Sequence, residues 1–313
     1  MVNDGRVPLR TRSARLPAAP WSNSLAVCHH LSVPPLAGAL QRIETYYDAV
    51  PRAAARVEDL YPFTLFVKQG AGWPYYARPA RGTDATTVFT PQDVEHVRER
   101  QRALDLPEAF EWVHDVSPAL RAAVEATGLH VHTHPLMLLD PRAHQAHANQ
   151  PVPVPSGLTI RLVPADEPDA SLARLDAVAH IGFQFSGTAT GEAGLEALTK
   201  AASQTTPQQL AFRRERLRAG RSVVAVAETP EGPVCVGSHQ PLEGVTEIVG
   251  VATLPAFRRQ GIGAALVDRL VEDAIKRGVT TIFLSAGDAG VARIYARLGF
   301  RTVATACIAE PEG

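Results

Sequence analysis

The chain has 313 residues, of which 45% are hydrophobic and 20% are charged, and 31 basic side chains nearly balance 32 acidic ones. This length predicts two domains of about 150 residues each. A net charge of -1 excludes the basic excess that nucleic-acid-binding domains usually carry, so we expect no nucleic-acid partner. The sequence contains no apolar run near the ~20 residues that span a bilayer, and its three cysteines are far apart. These features predict a cytoplasmic protein that has no membrane partner and no structural disulfide.

The first half of the chain predicts mixed α/β structure that follows a flexible tail over residues 1–32. Gly128 is expected to end the helix that is predicted over residues 118–127. Apolar periodicity and turn residues predict, in chain order, a helix containing residues 43–50, extended segments at 65–67 and 75–76, a helix over 91–104, a strand over 110–113, a helix over 118–127 and a strand over 129–139.

A proline-rich linker is predicted over residues 149–157, because its alternating prolines favour an extended chain and forbid a helix. A second domain is expected to begin at Leu158. Its predicted elements are a strand over 158–162, helices over 170–180 and 208–219, strands over 222–228, 234–240 and 246–253, a helix over 261–277, a strand over 281–285, a helix over 290–298 and a strand over 302–309.

The most informative segment is the turn that joins the strand at 246–253 to the helix at 261–277. It reads Arg258-Arg259-Gln260-Gly261-Ile262-Gly263. Free N–H groups at a helix N-terminus bind anions, and the two glycines let a pyrophosphate approach the main chain. The pattern fits neither a P-loop nor a dinucleotide fingerprint, because the residues that those motifs require are missing.

The Arg-x-x-Gly-x-Gly unit, followed by strand, helix, Tyr295 and Leu298-Gly299-Phe300, resembles the GCN5-related N-acetyltransferase (GNAT) superfamily in order and spacing. The resemblance covers residues 158–309. It implies an α/β (α+β) fold of tandem GNAT-like domains, each with a central, mostly antiparallel, splayed mixed sheet flanked by helices. The order strand, helix, Gly, strand over residues 110–139 repeats the order over 282–308. Residues 33–148 are therefore expected to form a degenerate N-terminal copy, and residues 158–313 the catalytic N-acetyltransferase domain.

The resemblance also implies acetyl-CoA as co-substrate and assigns residues to it. The main chain of the central strand is expected to bind pantetheine, and the turn and last helix are expected to bind the rest of the cofactor. The residues concerned are Val251, Ala252, Thr253, Arg258, Arg259, Gln260, Gly261, Ile262, Gly263, Ala264, Asp288 and Ala292. Asp288 stands where the family often has Asn, and it is also suited to cap a helix.

Direct attack by an amine on the thioester requires a group that removes a proton and a group that protonates the leaving thiolate. The resemblance points to Glu247 as general base and to Tyr295 as general acid. Strand alternation predicts that Glu247 faces the same side as Val249 and Val251. An exposed acid at Glu247 and a core aromatic at Tyr295 are the structural alternatives.

The first half lacks an Arg-x-x-Gly-x-Gly unit, and the segment Thr90-Pro91-Gln92-Asp93-Val94 carries an acid that would repel a pyrophosphate. We therefore expect one CoA site, in the C-terminal domain. The N-terminal copy is expected to cover an edge of the sheet and to shape the acceptor cleft, so that the protein is a monomer or a homodimer. The aromatics considered for that cleft are Trp73, Tyr75, Tyr76 and Trp112, and a position in the core is the alternative for most of them.

Other polar clusters have simpler explanations. His130, His132 and His134 alternate on a predicted strand and could bind zinc, but a solvated strand face explains them equally well, and no metal is expected. His144 and His147 are predicted to lie in a loop. For the basic run Arg213, Arg214, Arg216 and Arg218, a solvated helix face is expected, with the 3′-phosphate of CoA as the alternative partner.

The predicted function is transfer of an acetyl or short acyl group from CoA to a primary amine on a small molecule or peptide. Two alternatives remain open. One is an acyl-CoA-binding sensor or scaffold without turnover, which would need neither Glu247 nor Tyr295. The other is a tandem GNAT acyltransferase similar to mycothiol synthase.

Overall fold

The computed structural model describes residues 36–72, 74–148, 152–185 and 187–312. They belong to one compact unit. The predicted tail over residues 1–32 and Trp73 lie outside the described residues. Among the described helices, none combines the length and the apolar character that crossing a membrane requires.

The part of the chain before the linker contains four helices and five strands among the described residues. They are α1 (Leu36–Arg52), β1 (Ala55–Leu60), β2 (Phe63–Lys68), β3 (Arg78–Pro79), α2 (Pro91–Ala103), β4 (Phe110–Val113), α3 (Leu120–Glu125), β5 (His130–Leu139) and α4 (Pro141–Ala148). We call this part the N-terminal half.

The part that follows the linker, called here the C-terminal half, contains five helices and six strands among the described residues. They are β6 (Thr159–Leu162), α5 (Asp169–Gln184), α6 (Leu195–Ala202), α7 (Pro207–Arg218), β7 (Val223–Thr229), β8 (Gly232–Leu242), β9 (Val245–Thr253), α8 (Ile262–Lys276), β10 (Thr281–Ser285), α9 (Ala289–Arg297) and β11 (Phe300–Glu310). A short 3-10 turn, Pro255–Phe257, precedes α8.

Strands from both sides of the linker form one eight-stranded sheet. Its order is β4-β11-β5-β10-β9-β8-β7-β6, and the pairs are antiparallel except for β9 with β10. Strands β1, β2 and β3 form a separate antiparallel sheet of three strands. A parallel bridge from Ala77 to Phe110 connects the end of this small sheet to β4. The mixed, mostly antiparallel sheet flanked by helices agrees with the predicted fold class.

The two halves repeat the same order of elements. Three antiparallel strands lead to a helix, then to a strand that runs parallel to the third, then to a helix and a final strand. In the N-terminal half these elements are β1–β3, α2, β4, α3 and β5; in the C-terminal half they are β7–β9, α8, β10, α9 and β11. Each final strand lies inside the other half: β5 pairs with β10 and β11, and β11 pairs with β4 and β5.

Helices cover both faces of the large sheet. On β5, Met137 and Leu139 pack under α8 and α9, whereas Leu136 and Leu138 pack under α1 on the opposite face. On β7, Ala225 and Ala227 pack in the α8 core, and Val224 and Val226 pack under α5 and α6. This alternation buries both faces of the sheet, so a polar side chain on either face is partly withdrawn from water.

Two sequence-based assignments in the N-terminal half were wrong. Tyr75 and Tyr76 are not in a strand, because the short strand β3 begins at Arg78. His144 and His147 are not in a loop: they lie on α4, whose first turn is capped by the Asp140 carboxylate, which accepts hydrogen bonds from the N–H groups of Arg142 at 2.9 Å and Ala143 at 3.3 Å. Trp112 is fully buried, so the core position considered for it is the one present.

Candidate functional site

An opening in the large sheet lies between β9 and β10. The parallel ladder between these strands covers three residue pairs and ends at Glu247 and Phe283, although β9 continues to Thr253. Main-chain groups of β9 beyond Glu247 therefore have no β10 neighbour in the ladder. Such an opening is what a linear ligand needs to bind along a strand edge.

A β-bulge changes which face the end of β9 presents. Val249 pairs with Ser238 and Ala252 pairs with Val236, so two residues of β9 stand opposite one of β8. Gly250 adopts a left-handed φ of +66° at this bulge. Glu247 consequently faces α1, whereas Val251 packs in the core under α8. The prediction that these two side chains share a face was wrong, because simple alternation does not hold across a bulge.

The Glu247 carboxylate is held from the N-terminal half of the chain. The Tyr47 hydroxyl of α1 donates a hydrogen bond to Glu247 Oε1 at 3.0 Å. Burial, together with the charge of Glu111, raises the pKa of Glu247 to about 8, against the opposing effects of the Tyr47 hydrogen bond and Arg78. The residue keeps part of its surface exposed. Near neutral pH this carboxyl group can both accept and release a proton.

Tyr295 lies on the opposite face, on α9. Its ring packs against the core under α8 and makes an edge contact with Phe300, with 6.1 Å between ring centroids. Burial, together with the nearby Cys235 thiol, raises the pKa of Tyr295 to about 12, so the phenol is protonated near neutral pH. Glu247 and Tyr295 are therefore not in contact, and the sheet that carries the β9–β10 opening separates them.

The N-terminus of α8 lies beyond the end of β9. Gly261 precedes the helix with a left-handed φ of +78°, and it caps the helix without a side-chain hydrogen bond. A Cβ atom on Gly263 would lie 3.4 Å from Thr253 Oγ1, so the helix start is close to the end of the strand. The first N–H groups of α8 are thus left without a side-chain acceptor, and they are suited to an anion. Ile262 points into the core and Ala264 packs beside it.

The two arginines of the turn differ in their surroundings. The Arg258 guanidinium donates to the main-chain carbonyls of Thr253 at 3.1 Å, Gly182 at 2.6 Å, Phe185 at 2.9 Å and Ala189 at 3.0 Å. Arg258 therefore ties the last turn of α5 and the segment after it to the end of β9. Arg259 has a left-handed φ of 63° and no ion-pair partner among the described residues, and Gln260 is exposed.

At the start of α9, Asp288 is the helix cap. Its Oδ1 accepts a hydrogen bond from the Val291 N–H at 2.7 Å. Ala292 follows one turn into the helix and is buried in the core under α8. The capping role that the sequence suggested for Asp288 is present in the structure.

The remaining polar clusters lie on β5 and α7. His130 and His132 make an edge contact with 4.5 Å between ring centroids, close to Glu312 and Glu310, and His134 Nδ1 lies 3.1 Å from the Gly287 carbonyl. The described residues contain no group of three or more His, Cys, Asp or Glu side chains arranged for a metal ion. In the basic run, Arg213 pairs with Asp176 and Arg214 with Asp169, both on α5.

Sequence reasoning missed the residues of the N-terminal half that surround Glu247. Tyr46 and Tyr47 were predicted only as part of the apolar face of a helix, and Arg78 and Glu111 were not singled out. No local pattern identifies them, because Tyr47 and Glu247 are 200 residues apart in the chain.

Comparisons with known proteins show what this chain is similar to. Residues 194–300 match the model of the "Acetyltransferase (GNAT) family". A curated relative, the [Ribosomal protein bS18]-alanine N-acetyltransferase of Escherichia coli (strain K12), is 38% identical over 55 residues. This alignment covers 17% of the chain and 37% of that relative, so the chain spans little more than a third of the curated relatives it matches.

Solved structures show the same fold over a much larger part of the chain. A GCN5-related N-acetyltransferase from Kribbella flavida covers 88% of this chain and 96% of its own, with a TM-score of 0.61 and 24% identity. A tandem GNAT protein from the clavulanic acid biosynthesis pathway covers 80% of this chain and 79% of its own, with a TM-score of 0.52 and 17% identity. The chain therefore has the GNAT fold, and its residues 194–300 match the model of the GNAT acetyltransferase family.

Proposed function

We propose that the protein is an acetyl-CoA-dependent N-acyltransferase that moves an acetyl or short acyl group to a primary amine. The observation that carries this proposal is the position of Glu247. Its proton-accepting carboxyl group lies where the β9–β10 ladder ends, on the face opposite Tyr295. A group that accepts a proton and a group that keeps one would thus act from opposite faces of the sheet.

The cofactor would bind along the path from this opening to α8. Pantetheine would occupy the β9 edge beside Val251, Ala252 and Thr253, and the pyrophosphate would meet the N–H groups at the start of α8. Arg259, Gln260, Gly261 and Gly263 line that start. The side chain of Arg258 would support the site indirectly, since its four hydrogen bonds hold the surrounding main chain.

The reaction would be a direct attack. The amine nitrogen forms a bond to the acyl carbon while the carbon–sulfur bond breaks, and CoA leaves as a thiolate. Glu247 takes the proton that the attacking nitrogen loses, and Tyr295 supplies a proton to the thiolate. The pKa of about 8 at Glu247 suits proton transfer near neutral pH, and the pKa of about 12 keeps Tyr295 in its protonated form.

The acceptor is proposed to be a small molecule or peptide that carries a primary amine. The curated relative is, by its name, an N-acetyltransferase of an alanine in a ribosomal protein. A peptide α-amino group has an ordinary pKa of about 7.7–8.0, close to that of Glu247, whereas a lysine amine lies near 10.4. Peptides with a free N-terminal alanine are therefore the first acceptors to test.

The two halves are proposed to have different roles. The repeated element order and the exchanged final strands support a degenerate GNAT-like copy over residues 33–148, linked through 149–157 to a catalytic domain over 158–313. The CoA site would lie in the C-terminal half alone.

The test compares acetyl-CoA binding with acetyl transfer. Acetyl-CoA at about 100 times its Kd should stabilise the fold by roughly 2.7 kcal/mol, visible as a higher Tm. A panel of alanine-terminated peptides, lysine peptides and diamines is then assayed for CoA release. Glu247→Gln is expected to lower the rate by roughly 10²–10⁴-fold without changing the acetyl-CoA effect on Tm.

The matched control is Glu243→Gln, because Glu243 is an exposed acid in the turn just before β9. It should keep full activity. Absence of any acetyl-CoA effect on Tm would contradict the proposal. Binding without transfer to any amine of the panel would favour the sensor or scaffold alternative.

A further inference from the structure

A chain of polar contacts runs from the N-terminal half to Glu247. It begins at Glu111 on β4, which is bonded to the guanidinium of Arg78 on β3. The Arg78 guanidinium carbon lies 4.1 Å from the centre of the Tyr47 ring on α1. The Tyr47 hydroxyl in turn donates to Glu247 Oε1 at 3.0 Å. Three elements of the half without a cofactor loop thus converge on one carboxylate of the other half.

Arg78 fixes the Tyr47 ring from a buried position. Its side chain is 4% exposed, and Glu44 Oε2 lies 4.0 Å from its Nη2 atom. A guanidinium stacked on a tyrosine face attracts the ring electrostatically, and burial strengthens this attraction. Burial also raises the pKa of Tyr47 well above its ordinary value, so its hydroxyl stays protonated and is available as a donor.

The neighbouring Tyr46 shows what a purely structural tyrosine does at this place. Both rings make edge contacts with Phe283 at a centroid distance of 5.4 Å. The Tyr46 hydroxyl, however, binds only main chain: it accepts from the Glu247 N–H at 3.2 Å and donates to the Gln240 carbonyl at 2.7 Å. Tyr47 alone of the two reaches the carboxylate. Tyr46 is therefore an internal control for packing and for the loss of a buried hydroxyl.

We propose that Tyr47 is a positioning residue for the transfer reaction, which fixes one oxygen of the Glu247 carboxylate from the N-terminal half. The inference rests on the proposed role of Glu247 as general base. With Oε1 engaged by Tyr47, the other oxygen, Oε2, makes no hydrogen bond to the residues that the structure describes, and it is the one available to the acceptor amine. The half that lacks a cofactor loop thereby acts in the reaction through the base.

The hydrogen bond has a consequence that packing alone would not have. A hydroxyl that donates to a carboxylate stabilises its ionised form, so removal of the hydroxyl must raise the pH at which Glu247 loses its proton. Loss of a hydrogen bond to a charged group corresponds to an upward shift of about one pH unit. The other groups that act on Glu247, namely Arg78 and Glu111, are left in place by Tyr47→Phe.

The test follows the Glu247 carboxyl band by infrared spectroscopy as a function of pH. Each protein is compared with its own Glu247→Gln counterpart, so that the difference isolates this one group. We expect the titration near pH 8 in the wild type to move up by about one unit in Tyr47→Phe, and to stay in place in Tyr46→Phe. The pH profile of acetyl transfer should move by the same amount in Tyr47→Phe.

A second replacement predicts the opposite sign. Substituting 3-fluorotyrosine at position 47 keeps the ring and its hydroxyl but makes the hydroxyl a stronger donor, so the Glu247 titration should move to lower pH. The 3-fluorotyrosine protein also tests the inference if the Tyr47→Phe variant does not fold. Unchanged titration in the folded position-47 variants, or an equal change in Tyr46→Phe, overturns the inference. The infrared titration needs no acceptor, so a failure of the proposed transfer activity is seen separately from a failure of the Tyr47–Glu247 contact.

Discussion

The two halves differ most clearly at the first turn of an equivalent helix. Helix α2 begins with a reciprocal capping box: the Thr90 hydroxyl accepts from the Asp93 N–H, and the Asp93 carboxylate accepts from the Thr90 N–H. Helix α8, at the same place in the repeat, begins after Gly261 with no side-chain cap. The same element order thus carries a helix start with a side-chain cap in one half and a helix start without one in the other. This cap distinguishes the two halves more sharply than their order of elements does.

What the N-terminal half keeps is equally specific. It retains its final strand, which completes the other half of the sheet, and it places Tyr47 and Arg78 beside Glu247. The N-terminal half therefore contributes a strand to the large sheet and side chains to the surroundings of Glu247. The following predictions test this view of two dependent halves, starting with the largest expected effect.

Separating the halves should abolish the fold of the C-terminal one. Residues 158–313 expressed alone lack β4 and β5, so β11 loses both of its neighbours and β10 loses one. We expect no cooperative unfolding transition by circular dichroism. Co-expression with residues 1–157 should restore it. A stable, monomeric fragment over 158–313 would show that the halves are independent domains.

The glycines that end α3 and α9 occupy equivalent positions but should respond differently to alanine. Both have left-handed backbones, with φ of +79° at Gly128 and +95° at Gly299. A Cβ atom on Gly128 meets nothing within 4 Å, whereas one on Gly299 would lie 2.5 Å from the His144 main-chain nitrogen of α4. Gly128→Ala should cost about 1–2 kcal/mol of unfolding free energy from backbone strain, and Gly299→Ala about 1–3 kcal/mol more.

Urea denaturation of both alanine variants measures this difference. Equal losses would mean that α4 moves aside without cost, and that its contact with the end of α9 contributes nothing to stability.

Glu247 in the C-terminal half and Glu58 in the N-terminal half should change the free energy of unfolding with pH in opposite directions. The folded-state pKa of Glu247, about 8, lies above its ordinary 4.5, so unfolding releases a proton between these values and the free energy of unfolding falls as pH rises through them. Hydrogen bonds from Arg100 lower the pKa of Glu58 in the N-terminal half to about 2, and its contribution is lost as pH falls from 4.5 towards that value.

Glu247→Gln should therefore raise the Tm relative to wild type at about pH 9 and have little effect at about pH 4, whereas Glu58→Gln should lower the Tm at about pH 7. Thermal unfolding across this pH range checks both. A Glu247→Gln variant with no pH-dependent advantage would indicate that the carboxyl group titrates near its ordinary pKa in the folded protein.

The sequence predicted the elements of the C-terminal half closely, because their apolar periods are long and their ends carry clear stop signals. The predicted strand over 281–285 coincides with β10, and the helix over 261–277 differs from α8 by one residue at each end. Shorter elements without such signals, including α6 and β1, were missed. The Asp140-Pro141 start of α4 was a recognisable signal that the prediction overlooked.

Two features of the candidate site depend on information of different kinds. Gly250 inside a predicted strand is a local indication of a bulge, so the opposite orientation of Val251 could have been found from the sequence. The exchange of β5 and β11 could not have been found from the sequence, because a sequence that contains two similar halves does not say which strand pairs with which. The same holds for Tyr47 and Glu247, which only the assembled sheet brings together.

The exchanged strands also bear on how such a chain can change over generations. A duplicated half that stood apart could accumulate substitutions until it was lost from the gene. Here its final strand lies between two strands of its sister, so deletion would remove the centre of the remaining sheet. The start of α2 lies outside this exchange. The exchange therefore makes the final strand of the N-terminal half a requirement of the whole sheet.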